Sequence, residues 1–242
     1  MKLSYLITGT GRCGTVYMAR LLTSLGITCG HESIFDYRGV RWAEKRLNGE
    51  EPPELSYVSQ SEFKDGKWVP LERWLPDLGD IQAESSYMSA PFLNEPLLAG
   101  VPVIHVVRDP VKVVHSFCNY IDYFKSHIGS NSYEQFIYRH VPELQQEMSQ
   151  YDRACLYYVR WNEMIERANP TLFCRIEDDP QKVVDFLGKD GDYFKECDVN
   201  SLKKPVKDKF SIDKIQNRAI FDQFMAIGKR YGYRMKSEYL LI

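Results

Sequence analysis

The sequence predicts an α/β protein built on a mostly parallel sheet with helices on both faces. Three observations carry the prediction. A buried apolar run, "LSYLIT" (3–8), feeds a glycine-rich turn and then a helical pattern. Two further apolar runs, "PVIHVV" (102–107) and "TLFCRI" (171–176), are each followed by helical patterns. No internal repeat or low-complexity tail interrupts this alternation, which is that of helix-connected parallel strands.

The elements follow in order. The first helix is expected over roughly 14–25, where Val16, Leu21, Leu22 and Leu25 face the core and Gly26 is a C-terminal stop. "ITCG" (27–30) reads as the second strand. Residues 36–80 break the rhythm, with "EEPPE" at 50–54, three of the four tryptophans, and an Asp65-Gly66 hairpin signal in "EFKDGKWV". They read as a polar-aromatic insert rather than a βαβ unit. After the strand at 102–107, Asp109 caps a helix that has Pro110 at its first position. Further helices are expected at about 133–149, 151–168, 180–187 and 213–231. The chain, 1–242, reads as a single domain with this one insert.

Composition narrows the function classes. Hydrophobic residues at 44% and charged residues at 26% are those of a globular protein. A net charge of −2 gives no general affinity for nucleic acid or anionic membrane, so any anion site is local. The six cysteines form no C-x-x-C pair and no zinc spacing, and most lie in apolar segments as small hydrophobes. No metal site is expected from these residues. No signal peptide precedes the first strand, and the apolar runs are too short to span a bilayer. A reduced, cytoplasmic protein is the expectation.

The chemistry concentrates in "ITGTGRCGTVYMARLL" (7–22). Glycines at 9, 11 and 14 satisfy G-x-G-x-x-G, and Gly9 to Thr15 nearly satisfies G-x-x-x-x-G-K-[ST]. A strand, a glycine loop and a helix aim backbone N–H groups and the helix dipole at an anion, phosphate first. The same turn also occurs as a plain strand-to-helix connection. Arg12 in the turn suits a highly anionic group, and no Tyr-x-x-x-Lys pair supports a short-chain reductase. Glu32 nevertheless lies near the ribose-binding distance, so a dinucleotide-binding oxidoreductase stays open. Against an ATPase, the residue after Gly14 is Thr15 and not the lysine that neutralises the β/γ-phosphates.

A second stretch, "VIHVVRDPVKVVHSFCNY" (103–120), places Arg108 at a strand end and Ser116 eight residues on, inside the next helix. Both loops lie at the carboxyl ends of strands, the edge where open α/β sheets bind ligands. With these residues the chain resembles the sulfotransferases that use 3′-phosphoadenylyl sulfate (PAPS). Their 5′-phosphosulfate loop, basic-x-Gly-Thr, is matched by Arg12, Gly14 and Thr15. Their 3′-phosphate motif, an Arg at a strand end and a Ser eight residues later, is matched by Arg108 and Ser116. "CRIEDDPQKVVDFLG" (174–188) matches a third feature, with Ile176 in place of its tyrosine.

The resemblance implies a P-loop NTPase-like three-layer α/β/α fold and sulfuryl transfer from PAPS to a hydroxyl. The acceptor is a carbohydrate or other small molecule, and the product is adenosine 3′,5′-bisphosphate. It implies binding along Gly11, Arg12, Cys13, Gly14, Thr15, Val16 and Tyr17. Tyr17 either stacks on the adenine or packs in the core. Lys204 or Lys207 of "KKPVKDK" either reaches the 3′-phosphate or belongs to a solvated charge run.

Three residues compete for the base. Glu32 in "CGHESIF" matches the second Glu of the Cys-Gly-Glu-Glu stretch of tyrosylprotein sulfotransferases, and it ranks first. Glu84 in "AESSY" is similar to the Glu-Lys-Ser/Thr base of heparan sulfotransferases without its lysine, and His31 ranks third. His105 reads as a core histidine, and His115 as packing. Trp42, Trp68 and Trp74 in the insert offer flat faces to an acceptor. A nucleotide kinase and a non-catalytic nucleotide-binding module are the readings from other classes.

Overall fold

A parallel sheet forms the centre of the computed structural model, which describes residues 2–52, 61–64, 67–70, 81–190, 193 and 212–235. In chain order the elements are β1 (Tyr5–Thr8), α1 (Thr15–Ser24), β2 (Cys29–His31), α2 (Val40–Leu47), β3 (Ser61–Lys64), β4 (Lys67–Pro70), β5 (Ala83–Ser85), β6 (Val103–Val107), α3 (Pro110–Asn119), α4 (Ser132–His140), α5 (Gln150–Arg167), β7 (Leu172–Arg175), α6 (Gln181–Phe186) and α7 (Arg218–Arg230). The central sheet runs β2-β5-β1-β6-β7, with every neighbouring pair parallel.

Successive side chains on a strand point to opposite faces, and here they divide the core in two. Ile7, Ile104 and Val106 join Met18, Leu21, Leu22, Val183 and Val184 in one cluster, under α1 and α6. Leu6, Val103 and Val107 join Val111, Val114, Tyr157, Trp161 and Phe224 in the other, under α3, α5 and α7. The result is three layers, and β6 is buried at all five positions, as a strand covered on both faces requires.

The local signals at α1 and α3 act as expected. Gly26 takes φ 79°, its N–H donates to Thr23 O at 3.0 Å, and Ile27 N–H donates to Leu22 O at 3.0 Å. These two bonds end α1 in a Schellman motif. The Asp109 side chain accepts from Val111 N–H at 2.9 Å and caps α3.

Elsewhere the structure corrects the reading. The helix expected over 133–149 stops at His140, because Pro142 cannot continue it and a 3₁₀ turn over Pro142–Gln145 follows. The helix expected from 213 starts at Arg218, where Asn217 accepts from the Ala219 and Ile220 amides. The stretch 36–80 lies between two neighbouring parallel strands, β2 and β5, and its described part carries α2 and the separate β3–β4 pair. β3 and β4 pair antiparallel on either side of the Asp65-Gly66 signal. Asp65, Gly66 and Trp74, and the Trp68 side chain, lie outside the described residues, as do Cys197, Lys204 and Lys207. Among the described residues, no helix is long and apolar enough to cross a membrane.

Candidate functional site

The site lies where the strand order reverses. From β1 the chain passes to β2 and returns through β5, then crosses over β1 to reach β6. The carboxyl end of β1 is therefore the switch point, the edge at which open α/β sheets leave a crevice. The loop 9–14 begins there. A Cβ on Gly9 would lie 2.1 Å from Val106 O, so only glycine lets the loop pass this close to β6. Gly14 takes φ 107°, and a Cβ there would meet Ile176 at 2.6 Å. Gly14 is also the N-cap of α1. No side chain caps it and no acidic residue occupies the first turn, so the positive end of the helix is left for an anion.

Arg12, with φ 69°, is held in the left-handed region inside this turn. Its Nε donates to Ser116 Oγ at 2.9 Å, joining residues 104 positions apart. Arg108 Nη1 donates to Arg12 O at 3.2 Å. Burial, and then the neighbouring Arg108, push the Arg12 guanidinium pKa down, opposed chiefly by Glu32. Two half-buried guanidiniums side by side are an electrostatic cost that an anion would relieve. Tyr157 and Tyr158 of α5 brace these loops from below. The Tyr157 hydroxyl accepts from Gly11 N–H at 2.8 Å, and the Tyr158 hydroxyl donates to Arg108 O at 3.0 Å.

The three acid–base candidates meet beside this loop but in different settings. His31, at the end of β2, shares a 2.9 Å hydrogen bond between its Nε2 and Thr15 Oγ1. Burial, with Arg12 and Arg20, pushes its pKa down to about 3, so its imidazole is neutral and a weak base. Glu32 follows with φ 55°; its Oε1 lies 3.8 Å from His31 Nε2, and its side chain keeps 15% exposure. Burial, reinforced by Glu84 and Asp36 and opposed by Arg12, pushes Glu32 up to about 8. Ser85 ties this group to α1: its hydroxyl donates to Thr15 O at 2.8 Å, and its carbonyl accepts from Glu32 N–H at 3.3 Å.

Glu84 sits in the middle of β5 with no exposure. Its Oε1 accepts from the amides of Ile34 (3.0 Å) and Phe35 (3.3 Å), anchoring the turn that carries Glu32. Burial pushes its pKa up to about 7 against the pull of those amides.

The remaining predicted residues separate cleanly. The Cys13, Val16 and Tyr17 side chains are buried, with Cys13 and Tyr17 in the α1–α6 cluster. Tyr17 thus packs in the core, and these three can offer an anion only their backbone. Trp42 has the Arg38 guanidinium over its ring at 4.4 Å and the Lys45 ammonium at 5.3 Å, so cations already lie against it. His105 is the core histidine expected, with Nε2 2.9 Å from Asn162 Oδ1. His115 lies 3.0 Å from Asn119 Nδ2.

Tyr157, Tyr158 and Ser85 were not foreseen. "CLYYVRW" reads as a helix face bound for the core, and nothing in it marks two hydroxyls as loop braces. Compared with known proteins, the chain matches no family model, and no curated protein matches it in sequence.

Proposed function

We propose that this chain is a PAPS-dependent sulfotransferase with a P-loop-like fold, transferring a sulfuryl group to a hydroxyl acceptor. The observation that carries the reading is the meeting of Arg12, Thr15, Arg108 and Ser116 around the uncapped start of α1. A nucleotide bearing anionic groups at both ends suits that arrangement: one end at the loop and α1, the other at Arg108 and Ser116. The residues present fit such a ligand, because in the half-buried guanidinium pair burial and Arg108 outweigh Glu32 in disfavouring the charge on Arg12, and an anion would offset that.

Strand order weighs against the dinucleotide alternative. In the doubly wound dinucleotide order strand 2 lies beside strand 1, whereas here β5 separates β2 from β1. The acidic residue after β2 therefore starts about two strand spacings, roughly 10 Å, from the loop strand. A kinase remains the second reading, carried by the glycine loop alone, and magnesium-ATP turnover would reveal it.

Within this reading Glu32 takes the acceptor proton as the acceptor oxygen bonds to sulfur and the sulfur–oxygen bond to the 5′-phosphate breaks. Arg12 and the start of α1 stabilise the charge that gathers on the leaving phosphate, the term that dominates in a loose, in-line transfer. Glu32 suits the base better than Glu84, which has no exposure and spends an oxygen on backbone amides. His31 is too weak a base and instead links Thr15 to the Glu32 side.

The test is calorimetry with adenosine 3′,5′-bisphosphate and AMP. The bisphosphate is expected to bind at least tenfold tighter, since charge-assisted contacts contribute about 1.5–3 kcal/mol each. Equal affinities would remove the reading.

A further inference from the structure

"CRIEDDP" (174–180) has no part in the chemistry described so far, yet it reaches the proposed 3′-phosphate edge. β7 pairs with β6, and Ile176 N–H extends the ladder by donating to Val107 O at 2.8 Å. Glu177 comes next. It is exposed, but both its oxygens are engaged: Oε1 accepts from Asp109 N–H at 3.0 Å and Oε2 from the Tyr233 hydroxyl at 2.7 Å. The carbonyl of Arg108 and the N–H of Asp109 belong to one peptide group. Tyr158 holds its carbonyl side and Glu177 its N–H side. A peptide plane hydrogen-bonded on both edges is restrained from rotating, and that plane sets the direction in which the Arg108 side chain leaves the strand.

We propose that Glu177, held by Tyr233, is a positioning residue that aims Arg108 at the 3′-phosphate. The proposal rests on the sulfotransferase reading of Arg108. An exposed carboxylate near an anion site repels the ligand, so removing its charge alone would strengthen binding. Losing the hydrogen bond and losing the charge thus push affinity in opposite directions, and the Ala and Gln variants tell them apart.

The experiment measures Kd for adenosine 3′,5′-bisphosphate and for AMP in the parent, Glu177→Ala, Glu177→Gln and Tyr233→Phe. Glu177→Ala is expected to weaken the bisphosphate about tenfold and AMP less than about twofold, the scale of one lost charge-assisted bond. Glu177→Gln keeps an acceptor for Asp109 N–H and is expected to stay within about twofold of the parent for both nucleotides. Tyr233→Phe should cost the bisphosphate about threefold, and it decides the matter if Glu177→Ala does not fold. An unchanged bisphosphate-to-AMP ratio in Glu177→Ala, or a Gln variant as impaired as Ala, overturns the proposal while the sulfotransferase reading stands. A parent that binds both nucleotides alike overturns both.

Discussion

Replacing Glu32 by Gln tests the electrostatics of the site without any substrate. Burial, Glu84 and Asp36 carry the Glu32 carboxyl from 4.5 to about 8 in the folded chain, with Arg12 opposing. A folded-state pKa above the unfolded one means that the native protein holds the proton more tightly. The stability this contributes is complete below about pH 4.5 and is lost as pH rises toward 8. Realised in full, the displacement is worth ~5 kcal/mol at 1.36 kcal/mol per pH unit, an upper figure because side-chain relaxation and water entry reduce it. Gln carries no titrating proton. Urea unfolding from pH 5 to pH 9 is therefore expected to show the parent losing several kcal/mol more than Glu32→Gln, with the two within about 1 kcal/mol of each other at pH 5. Glu84, itself pushed up to about 7, is one of the charges that raise Glu32, so its own titration moves when Glu32 is replaced, and a Glu84→Gln curve run alongside accounts for that share. Parallel stability curves would refute the reasoning, because Glu32 would then be an ordinary solvated carboxylate. The same ionisation should govern catalysis, with kcat/KM rising as pH approaches 8 and the proton leaves the base.

Three other perturbations discriminate further. Arg108→Ala is expected to weaken adenosine 3′,5′-bisphosphate roughly ten- to a hundredfold by calorimetry and to leave AMP nearly unchanged. Once an acceptor is found, Glu32→Gln should lower turnover by about 10²–10⁴ with nucleotide affinity retained, and Glu84→Gln should cost far less; the reverse order would move the base to Glu84. Gly14→Ala forces a Cβ to within 2.6 Å of Ile176 at φ 107°, and thermal unfolding should register a loss of about 1–3 kcal/mol together with weakened nucleotide binding.

Much of this architecture is legible in the sequence because strand ends are local events. "LSYLIT" stops at glycines, and "PVIHVV" stops at Arg108 and a capped Pro110, so both ligand-edge loops can be located from neighbouring residues alone. β5 is not legible: three residues with Glu84 at their centre contradict the apolar strand pattern, and the amides of Ile34 and Phe35 that accommodate that carboxylate lie some 50 positions away. α2 escapes for a related reason, since its polar, tryptophan-bearing sequence buries Ala43 and Leu47 in the core cluster and packs Val40 against its margin.

The same division runs through the site. Arg12, Arg108 and Ser116 announce themselves by charge, position and spacing, whereas the hydroxyls of Tyr157, Tyr158 and Ser85 look identical to core or filler residues until the helices are packed. Glu32 and Glu84 both follow or occupy short strands, and only a resemblance of motif ranks the first above the second in sequence. What separates them is what lies opposite each carboxylate: a half-buried edge beside Arg12 for one, and a set of backbone amides for the other. Charge can be placed by local reading, but its partner cannot, and the partner decides whether a buried carboxyl anchors a turn or moves a proton.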